Sequence, residues 1–246
     1  MNSKIEKLVD IINRSNNIVF FGGAGTSTES GIPDFRSSNG LFNEKLNKRF
    51  TPEQLVSHSF YIMYPEEFFS FYKDKLIYKE AKPNNAHIAL AELEKMGKLK
   101  AVITQNIDGL HQMAGSKNVF ELHGSVHRNY CENCGKFYDL DSMLNLDGTI
   151  PYCEECGSIV KPDVVLYEEA LDDEVINKAI SAISSADLLI IGGTSLVVYP
   201  AAGFINYFKG KNIVVINRDD ININKNNTLV INESIGEVLN EVMLQI

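Results

Sequence analysis

The chain has 246 residues, of which 44% are hydrophobic, and its formal net charge at neutral pH is −9. This length is sufficient for one large domain, or for one large domain with a smaller appendage. An acidic chain is a poor candidate for non-specific nucleic-acid binding, which requires a basic surface. We expect the acidity to serve solubility, although it is also compatible with a basic, lysine-containing partner.

The first predicted element is an amphipathic helix in "MNSKIEKLVDIINRS", whose apolar residues recur at helical spacing. This segment has neither the apolar stretch nor the small-residue cleavage site of a signal peptide. No apolar run in the sequence is long enough to cross a bilayer. We therefore expect a soluble, cytoplasmic protein that does not bind membranes.

Short apolar runs alternate with helical patterns along most of the chain. Six runs predict strands, over 17–25, 100–108, 119–125, 164–166, 186–195 and 211–220. One helix is predicted to start at Asn84 or Asn85 and to stop at Gly97, and others cover 172–184, the stretch after Pro200 and the tail "SIGEVLNEVMLQI". The alternation predicts an α/β fold, with a parallel sheet that is covered by helices on both faces.

Two stretches interrupt this alternation. Residues 37–80 are rich in aromatic residues and helical patterns, and residues 129–158 carry all four cysteines. We interpret both as insertions that pack together as a second, smaller domain. The predicted boundaries are 1–36, 81–128 and 159–246 for the sheet domain, 37–80 for a helical module and 129–158 for a zinc-binding module.

The cysteines form two C-x-x-C pairs, Cys131 with Cys134 and Cys153 with Cys156, and a glycine follows each pair. This spacing is typical of a zinc ribbon, in which four thiolates bind one Zn²⁺. Four thiolates leave no coordination position open, so the zinc is predicted to be structural. A nucleic-acid-binding ribbon is a rival by motif alone, but the intervening segment 138–150 is acidic and has no lysine or arginine.

The first predicted strand leads into a glycine turn, with Gly23 and Gly25 placed as in the dinucleotide fingerprint G-x-G-x-x-G. Thr28 stands where the third glycine belongs, and no acid for a ribose follows a second strand at the usual distance. Both departures disfavour a hydride-transfer dehydrogenase, and the turn alone is a weak indication of a nucleotide. The continuation "GIPDFR" strengthens it, because Phe35 can cover a flat ring and Arg36 can bind a phosphate or a carboxylate.

Two further polar clusters follow predicted strands. "TQNIDG" contains Gln105, Asn106 and Asp108, and "ELHGS" contains His123. Ligands of open α/β sheets bind at the carboxyl ends of strands, so we expect both clusters near the glycine turn. The amides and the carboxylate could hold a ribose and a carboxamide, although Asp108-Gly109 alone is also compatible with a plain turn. His123 is the predicted general base, and the other four histidines are interpreted as structural.

Six features occur in a fixed order along the chain: "GAGTSTESGIPDFRSSNGLF", "TQNIDGLHQMAG", "ELHGS", the cysteine pairs, "GGTSLVVYPAA" and "INRDD". Together they resemble the sirtuin family of NAD-dependent protein-lysine deacylases. The resemblance covers nearly the whole chain and is nearest to bacterial members. It implies a Rossmann-like parallel-sheet domain and a smaller inserted domain that is made of a helical module and a zinc ribbon. It further implies NAD as co-substrate, one structural Zn²⁺ and acetyl-lysine-containing proteins or peptides as partners. We expect a monomer that does not bind nucleic acid.

The resemblance also implies roles for individual positions. His123 and Asn106 are expected to be catalytic. NAD contacts are expected from Gly23, Ala24, Gly25, Thr28, Phe35, Arg36, Gln105, Asn106, Ile107, Asp108, His123, Gly193, Thr194, Ser195, Asn217 and Asp219. The substrate peptide is expected to add as a strand beside Val164, Val165 and Val198, and the zinc ligands are Cys131, Cys134, Cys153 and Cys156.

The implied reaction consumes NAD: the acyl group of acyl-lysine passes to ADP-ribose, and nicotinamide, deacylated lysine and 2′-O-acetyl-ADP-ribose are released. Tyr167-Glu168-Glu169 replaces the Phe-Gly-Glu of many members, which leaves the peptide preference open. Members that favour succinyl or malonyl groups carry a tyrosine and an arginine where the nearest match here is Tyr72 and Lys75, so we favour neutral acyl groups, acetyl first. A mono-ADP-ribosyltransferase on the same scaffold and a non-catalytic nucleotide-sensing module remain alternatives.

Overall fold

The computed structural model of the protein describes residues 2–35, 40, 50–221, 223 and 227–246. Arg36, an expected NAD contact, lies outside the described residues, as does much of the start of the predicted helical module. The strands of the described part are β1 (Ile18–Gly22), β2 (Leu99–Thr104), β3 (Val119–Glu121), β4 (Gly124–Cys131), β5 (Phe137–Asp139), β6 (Val160–Val164), β7 (Leu188–Gly192), β8 (Asn212–Ile216) and β9 (Thr228–Ile231).

The helices of the same ranges are α1 (Asn2–Arg14), α2 (Pro52–Leu55), α3 (His58–Met63), α4 (Pro65–Lys75), α5 (Asn85–Lys95), α6 (Leu110–Met113), α7 (Leu140–Leu144), α8 (Asp173–Ser185) and α9 (Ile235–Met243). Short 3₁₀ helices cover Ala24–Thr26, Thr28–Ser30 and Ala201–Tyr207. The predicted start of α5 is confirmed, because the Asn84 side chain caps it by accepting from the Ala86 N–H. In the described ranges, no helix is both long and apolar enough to span a membrane.

Over the described residues, six strands form a parallel sheet in the order β3-β2-β1-β7-β8-β9. Every residue of β1 and β7 is buried, as expected for parallel strands that are covered on both faces. One core contains residues of α1, α5 and α9, and a second contains residues of α8 and the 3₁₀ helix Ala201–Tyr207. The strand order reverses direction between β1 and β7, and the carboxyl ends of strands at such a point are where open α/β sheets bind ligands.

A second sheet, antiparallel and in the order β5-β4-β6, carries the cysteines. The prediction that 164–166 is a strand of the parallel sheet is wrong. The strand is β6, whose burial alternates from Val160 to Val164, the pattern of a sheet with one solvated face. Aromatic residues of α3 and α4 share one core with residues of this sheet, among them Phe60, Phe68, Tyr138 and Val160. The exact module boundaries stay a prediction.

Candidate functional site

The carboxyl ends of β1, β2, β7 and β8 open into a cavity of about 420 Å³, a size typical of small-molecule sites. Most of the residues that the sequence singles out line it: Gly23, Ala24, Gly25, Phe35, Gln105, Asn106, Ile107, Asp108, His123, Val164, Val165, Gly193, Thr194, Ser195, Val198, Asn217 and Asp219. Thr28 is not part of the lining. The structure therefore brings segments far apart in sequence to one cavity.

The glycine turn after β1 packs directly against the glycine turn after β7. The Gly25 N–H donates to the Gly193 carbonyl at 2.8 Å, and the Gly23 N–H donates to the Gly192 carbonyl at 3.3 Å. A Cβ on Gly25 would lie 2.8 Å from Gly193 Cα, and Gly193 itself has φ of +58°. Gly25 and Gly193 are thus required for the close approach of two backbones, which fixes the spacing of the turns.

A hydrogen-bonded network joins this turn to the segment after β2. Ser27 Oγ donates to Asp108 Oδ2 at 2.7 Å, and Asn106 Nδ2 donates to Ser27 Oγ at 3.0 Å. Asp108 Oδ1 accepts from the Leu110 N–H at 2.9 Å. The orientation of the Asn106 amide is therefore set by the protein before any ligand binds. Thr28, expected to face a ligand, instead donates to the Gly25 carbonyl at 3.1 Å.

Gln105 extends this arrangement to the turn after β7. Its Nε2 donates to Thr194 Oγ1 at 3.1 Å, so the two side chains face each other in the cavity. After β8, Asn217 Nδ2 donates to the Asp219 carbonyl at 2.8 Å. Both residues are among the NAD contacts that the resemblance implies. Polar side chains that are fixed in this way can bind a ligand without a large loss of rotamer entropy.

His123 lies where the chain leaves β3 and enters β4. Its Nδ1 is 2.9 Å from the Gln105 carbonyl oxygen, and a carbonyl only accepts, so Nδ1 carries the proton. Burial lowers the pKa of His123 and the Gln105 hydrogen bond opposes this shift. The imidazole is therefore neutral at pH 7, with the Nε2 lone pair available to accept a proton.

An ion-pair cluster fixes the segment that carries His123 between the two sheets. Arg128 Nη1 donates to Glu121 at 2.7 Å, and Arg128 Nε donates to Asp163 at 2.7 Å. Glu121 belongs to β3, Arg128 to β4, and Asp163 to β6. The Glu121 side chain is 8% exposed, and a buried carboxylate of this kind depends on its cationic partner.

Gly124 allows this crossing, because a Cβ there would lie 1.9 Å from the Asp163 carbonyl oxygen and its φ is +75°. We expect Gly124→Ala to lower the free energy of unfolding by at least about 2 kcal/mol. Gly97→Ala is the matched control, since Gly97 has φ of +73° with nothing within 4 Å and should cost only about 1 kcal/mol. Urea unfolding of both variants checks this, and equal losses would contradict it.

Beneath the site, His87 and His111 are fully buried with ring centroids 4.7 Å apart. Burial lowers the pKa of both, that of His87 to about 4. Between pH 6.5 and 4 the unfolded chain therefore binds more protons than the folded one, and the free energy of unfolding should fall as the pH falls. His111→Gln should flatten this slope in urea titrations at several pH values.

The four cysteines come together at the edge of the antiparallel sheet. Their Sγ atoms all lie within 4.8 Å of one another, with Cys131 to Cys156 at 3.3 Å and Cys134 to Cys153 at 3.7 Å. A tetrahedral zinc with Zn–S bonds near 2.3 Å requires S···S separations of about 3.8 Å. The donor set and its spacing thus fit one zinc ion, which these cysteines could bind as a structural centre.

Some residues of the cavity were not anticipated from the sequence. Tyr78 and Lys79 reach it from the helical module, beside Lys75, which the comparison of acyl preferences had already named. Pro33 and Asp34 of the "GIPDFR" segment line it beside Phe35. His127, interpreted as structural, also lines it, with Nε2 3.0 Å from the Asp108 carbonyl oxygen. No periodicity or motif distinguishes Lys79 from an ordinary surface lysine, because its position depends on how the two domains pack.

Comparison with known proteins gives a consistent result. The Sir2 family model matches residues 23–200. A protein of Clostridium perfringens named NAD-dependent protein deacetylase is 71% identical, covering 99% of this chain and 100% of its own. A protein of the same name from Clostridium acetobutylicum is 59% identical, covering 98% of each.

Among solved structures, one titled as a Sir2 bound to an acetylated peptide has a TM-score of 0.86 with 38% identity, covering 98% of both chains. One titled as a Sir2 with a p53 peptide and NAD⁺ has a TM-score of 0.85 with 38% identity, also covering 98% of both chains. The family model agrees over residues 23–200, and the relatives and solved structures agree over nearly the full length. The chain belongs to the Sir2 family.

Proposed function

We propose that this protein is an NAD-dependent protein-lysine deacetylase, which transfers the acyl group of acyl-lysine to ADP-ribose. Nicotinamide, deacylated lysine and 2′-O-acetyl-ADP-ribose are the products. One observation carries the proposal: His123 lies in the same cavity as the two glycine turns and the Ser27–Asn106–Asp108 network. The 71% identity to a protein named NAD-dependent protein deacetylase supports it.

The cavity residues fit a dinucleotide. The Gly23–Gly25 turn, Gly193 and Thr194 would hold the diphosphate and neighbouring ribose, and Asn217 and Asp219 the adenosine. Asn106, Ile107 and Asp108 would enclose the nicotinamide, and Gln105 would contact its ribose. When bound, NAD supplies a sugar carbon that becomes reactive as nicotinamide leaves.

The chain's own contribution to the chemistry is a general base and its positioning. His123 Nε2 would accept a proton from a ribose hydroxyl, and the bond from Nδ1 to the Gln105 carbonyl holds the ring in the required tautomer. Asn106 would orient the reacting groups through an amide whose direction Ser27 fixes. Burial removes water from the imidazole, which favours the neutral, basic form.

The lowered pKa of His123 predicts the pH dependence of deacetylation. Because the base must be neutral, kcat should fall with decreasing pH only below the ordinary imidazole value near 6.5. From pH 7 to 8 the rate should be nearly constant. Initial rates at saturating NAD and peptide between pH 5 and 8.5 check this, and an acidic limb centred above pH 7 would contradict it.

The acyl-lysine peptide is proposed to bind between Val164–Val165 and Val198, which line the cavity. The adjoining loop is held to the helical module, since the His58 N–H donates to the Tyr167 carbonyl at 2.9 Å and the Tyr167 N–H to the Val56 carbonyl at 3.0 Å. Among the residues that the structure describes, the cavity lining includes Lys75 and no arginine, so acetyl is proposed as the preferred acyl group. The protein is further proposed to act as a cytoplasmic monomer.

Incubation with NAD and an acetyl-lysine peptide, followed by mass spectrometry, tests the proposal. Release of nicotinamide together with deacetylated peptide and acetyl-ADP-ribose is the expected result. ADP-ribose attached to protein without deacetylation would indicate a transferase instead. No nicotinamide release would indicate a non-catalytic nucleotide-binding protein.

A further inference from the structure

The first turn of α9 lies beneath the loops that form the cavity, although it contributes no residue to the cavity itself. Its N-cap residue, Ser234, makes no side-chain hydrogen bond to the helix. A helix start in this position leaves backbone N–H groups that need a partner from elsewhere. The partner is supplied by the glycine-turn segment.

Glu29, in the 3₁₀ helix Thr28–Ser30, supplies that partner. Its Oε2 accepts from the Gly236 N–H at 2.8 Å, across more than 200 residues of sequence. A carboxylate at a helix N-terminus is also favoured by the helix dipole. A Cβ on Gly236 would lie 2.7 Å, 2.8 Å and 2.9 Å from Glu29 Oε2, Oε1 and Cδ, so glycine at 236 makes room for this carboxylate.

Two other cavity loops contact the same helical turn. Ile235 packs closely on Gly192, the last residue of β7. A Cβ on Gly192 would lie 2.2 Å from Ile235 Cδ1. Arg218, next to Asn217, donates to Ser234 Oγ from Nε at 3.2 Å and from Nη2 at 3.0 Å. Three successive residues, Ser234 to Gly236, therefore contact Arg218, Gly192 and Glu29, each of which lies next to a different cavity-lining turn.

We propose that this turn of α9 sets the relative positions of the three loops that bind NAD, and that Glu29 is the positioning residue that joins the glycine turn to it. The proposal rests on the proposed function, because it concerns NAD affinity. Without the Glu29 carboxylate, the segment 27–31 loses its hydrogen bond to α9. It keeps contacts such as Ser27 with Asp108, but its position relative to α9 and to the turn after β7 is less restricted. The loops must then be ordered when NAD binds, which weakens binding without altering His123.

The experiment measures NAD binding by titration calorimetry, well below the melting temperature of each variant. Glu29→Ala should weaken binding about tenfold, and Glu29→Gln, which keeps an acceptor oxygen and loses the charge, about threefold. Glu237→Ala, an exposed acid in the same turn of α9, should change the Kd by less than about twofold. At saturating NAD, kcat of Glu29→Ala should stay close to that of the wild type.

A double-mutant cycle separates positioning from general destabilisation. Gly236→Ala should displace the Glu29 carboxylate and weaken NAD binding as Glu29→Ala does. In the Glu29→Ala background, Gly236→Ala no longer has a carboxylate to displace. The double variant should therefore bind NAD as tightly as Glu29→Ala does. Independent effects would instead make its binding about a hundredfold weaker than that of the wild type.

Three results would overturn the inference. Unchanged NAD affinity in Glu29→Ala would overturn the inference and leave the proposed function intact. Additive effects of Glu29→Ala and Gly236→Ala on NAD affinity would have the same consequence. Absence of NAD binding in the wild type would overturn both. If Glu29→Ala does not fold, the NAD affinity of Glu29→Gln decides: a threefold weaker Kd supports the inference, and an unchanged Kd overturns it.

Discussion

Replacing His123 with alanine is expected to lower kcat for deacetylation by a factor of about 10² to 10⁴, the usual contribution of a general base. The reason is that the Nε2 lone pair, which the Nδ1 bond to the Gln105 carbonyl leaves available, is lost with the imidazole. The affinity for NAD should change far less, because the glycine turns and the Ser27–Asn106–Asp108 network do not depend on the imidazole. Steady-state kinetics together with calorimetry of NAD binding measure both quantities.

Glu6→Ala is the control for this experiment, because Glu6 is exposed on α1 and does not line the cavity. It should retain kcat within about threefold. A His123→Ala variant that folds, binds NAD and retains kcat within tenfold of the wild type would remove His123 from the role of base.

Removal of zinc is the second change with a large expected effect. Structural zinc sites contribute about 10 to 16 kcal/mol of apparent binding energy in small metal-binding domains. The antiparallel sheet and α3–α4 share one core, which contains both Cys131 and Cys153. Chelation, or the variant Cys134→Ser, should therefore unfold the small domain and abolish deacetylation. Hydrogen exchange should show lost protection in β4 and β6 and retained protection in β1 and β7.

Metal analysis supplies the stoichiometry for this prediction, with one zinc per chain expected in the wild type. Ser158→Ala is a matched control near the cluster, since it changes a hydroxyl and not a thiolate, and it should retain the metal. Chelated protein that keeps the protection of β4 and the full deacetylation rate would contradict a structural zinc.

Much of the sheet could be predicted because its physical signals are local. β1 and β7 are continuous apolar runs that end in glycines, and Asn84 and Gly97 delimit α5 in the way that capping rules require. The spacing of the cysteines was by itself enough to predict their cluster. The clustering of Gln105, Asn106 and His123 followed from one rule, that parallel strands present their carboxyl ends at the same edge.

What the sequence did not predict depends on contacts between distant segments. The strand at 160–164 joins the antiparallel sheet because β4 lies beside it. Its alternating residues are compatible with a sheet that has one solvated face, but they do not name β4 as its neighbour. The close packing of the two glycine turns, in which the Gly25 N–H donates to the Gly193 carbonyl, is not visible in the sequence of either turn alone. Lys79 reaches the cavity only because the small domain packs against the large one. Such pairings require knowledge of the fold.

The most direct test of the account is a crystal structure of the protein with NAD and an acetyl-lysine peptide. We expect the dinucleotide to lie against the Gly23–Gly25 turn, with His123 Nε2 about 3 Å from a hydroxyl of the nicotinamide ribose. A dinucleotide bound away from this turn, or an imidazole beyond the reach of a single bridging water from that ribose, would contradict it.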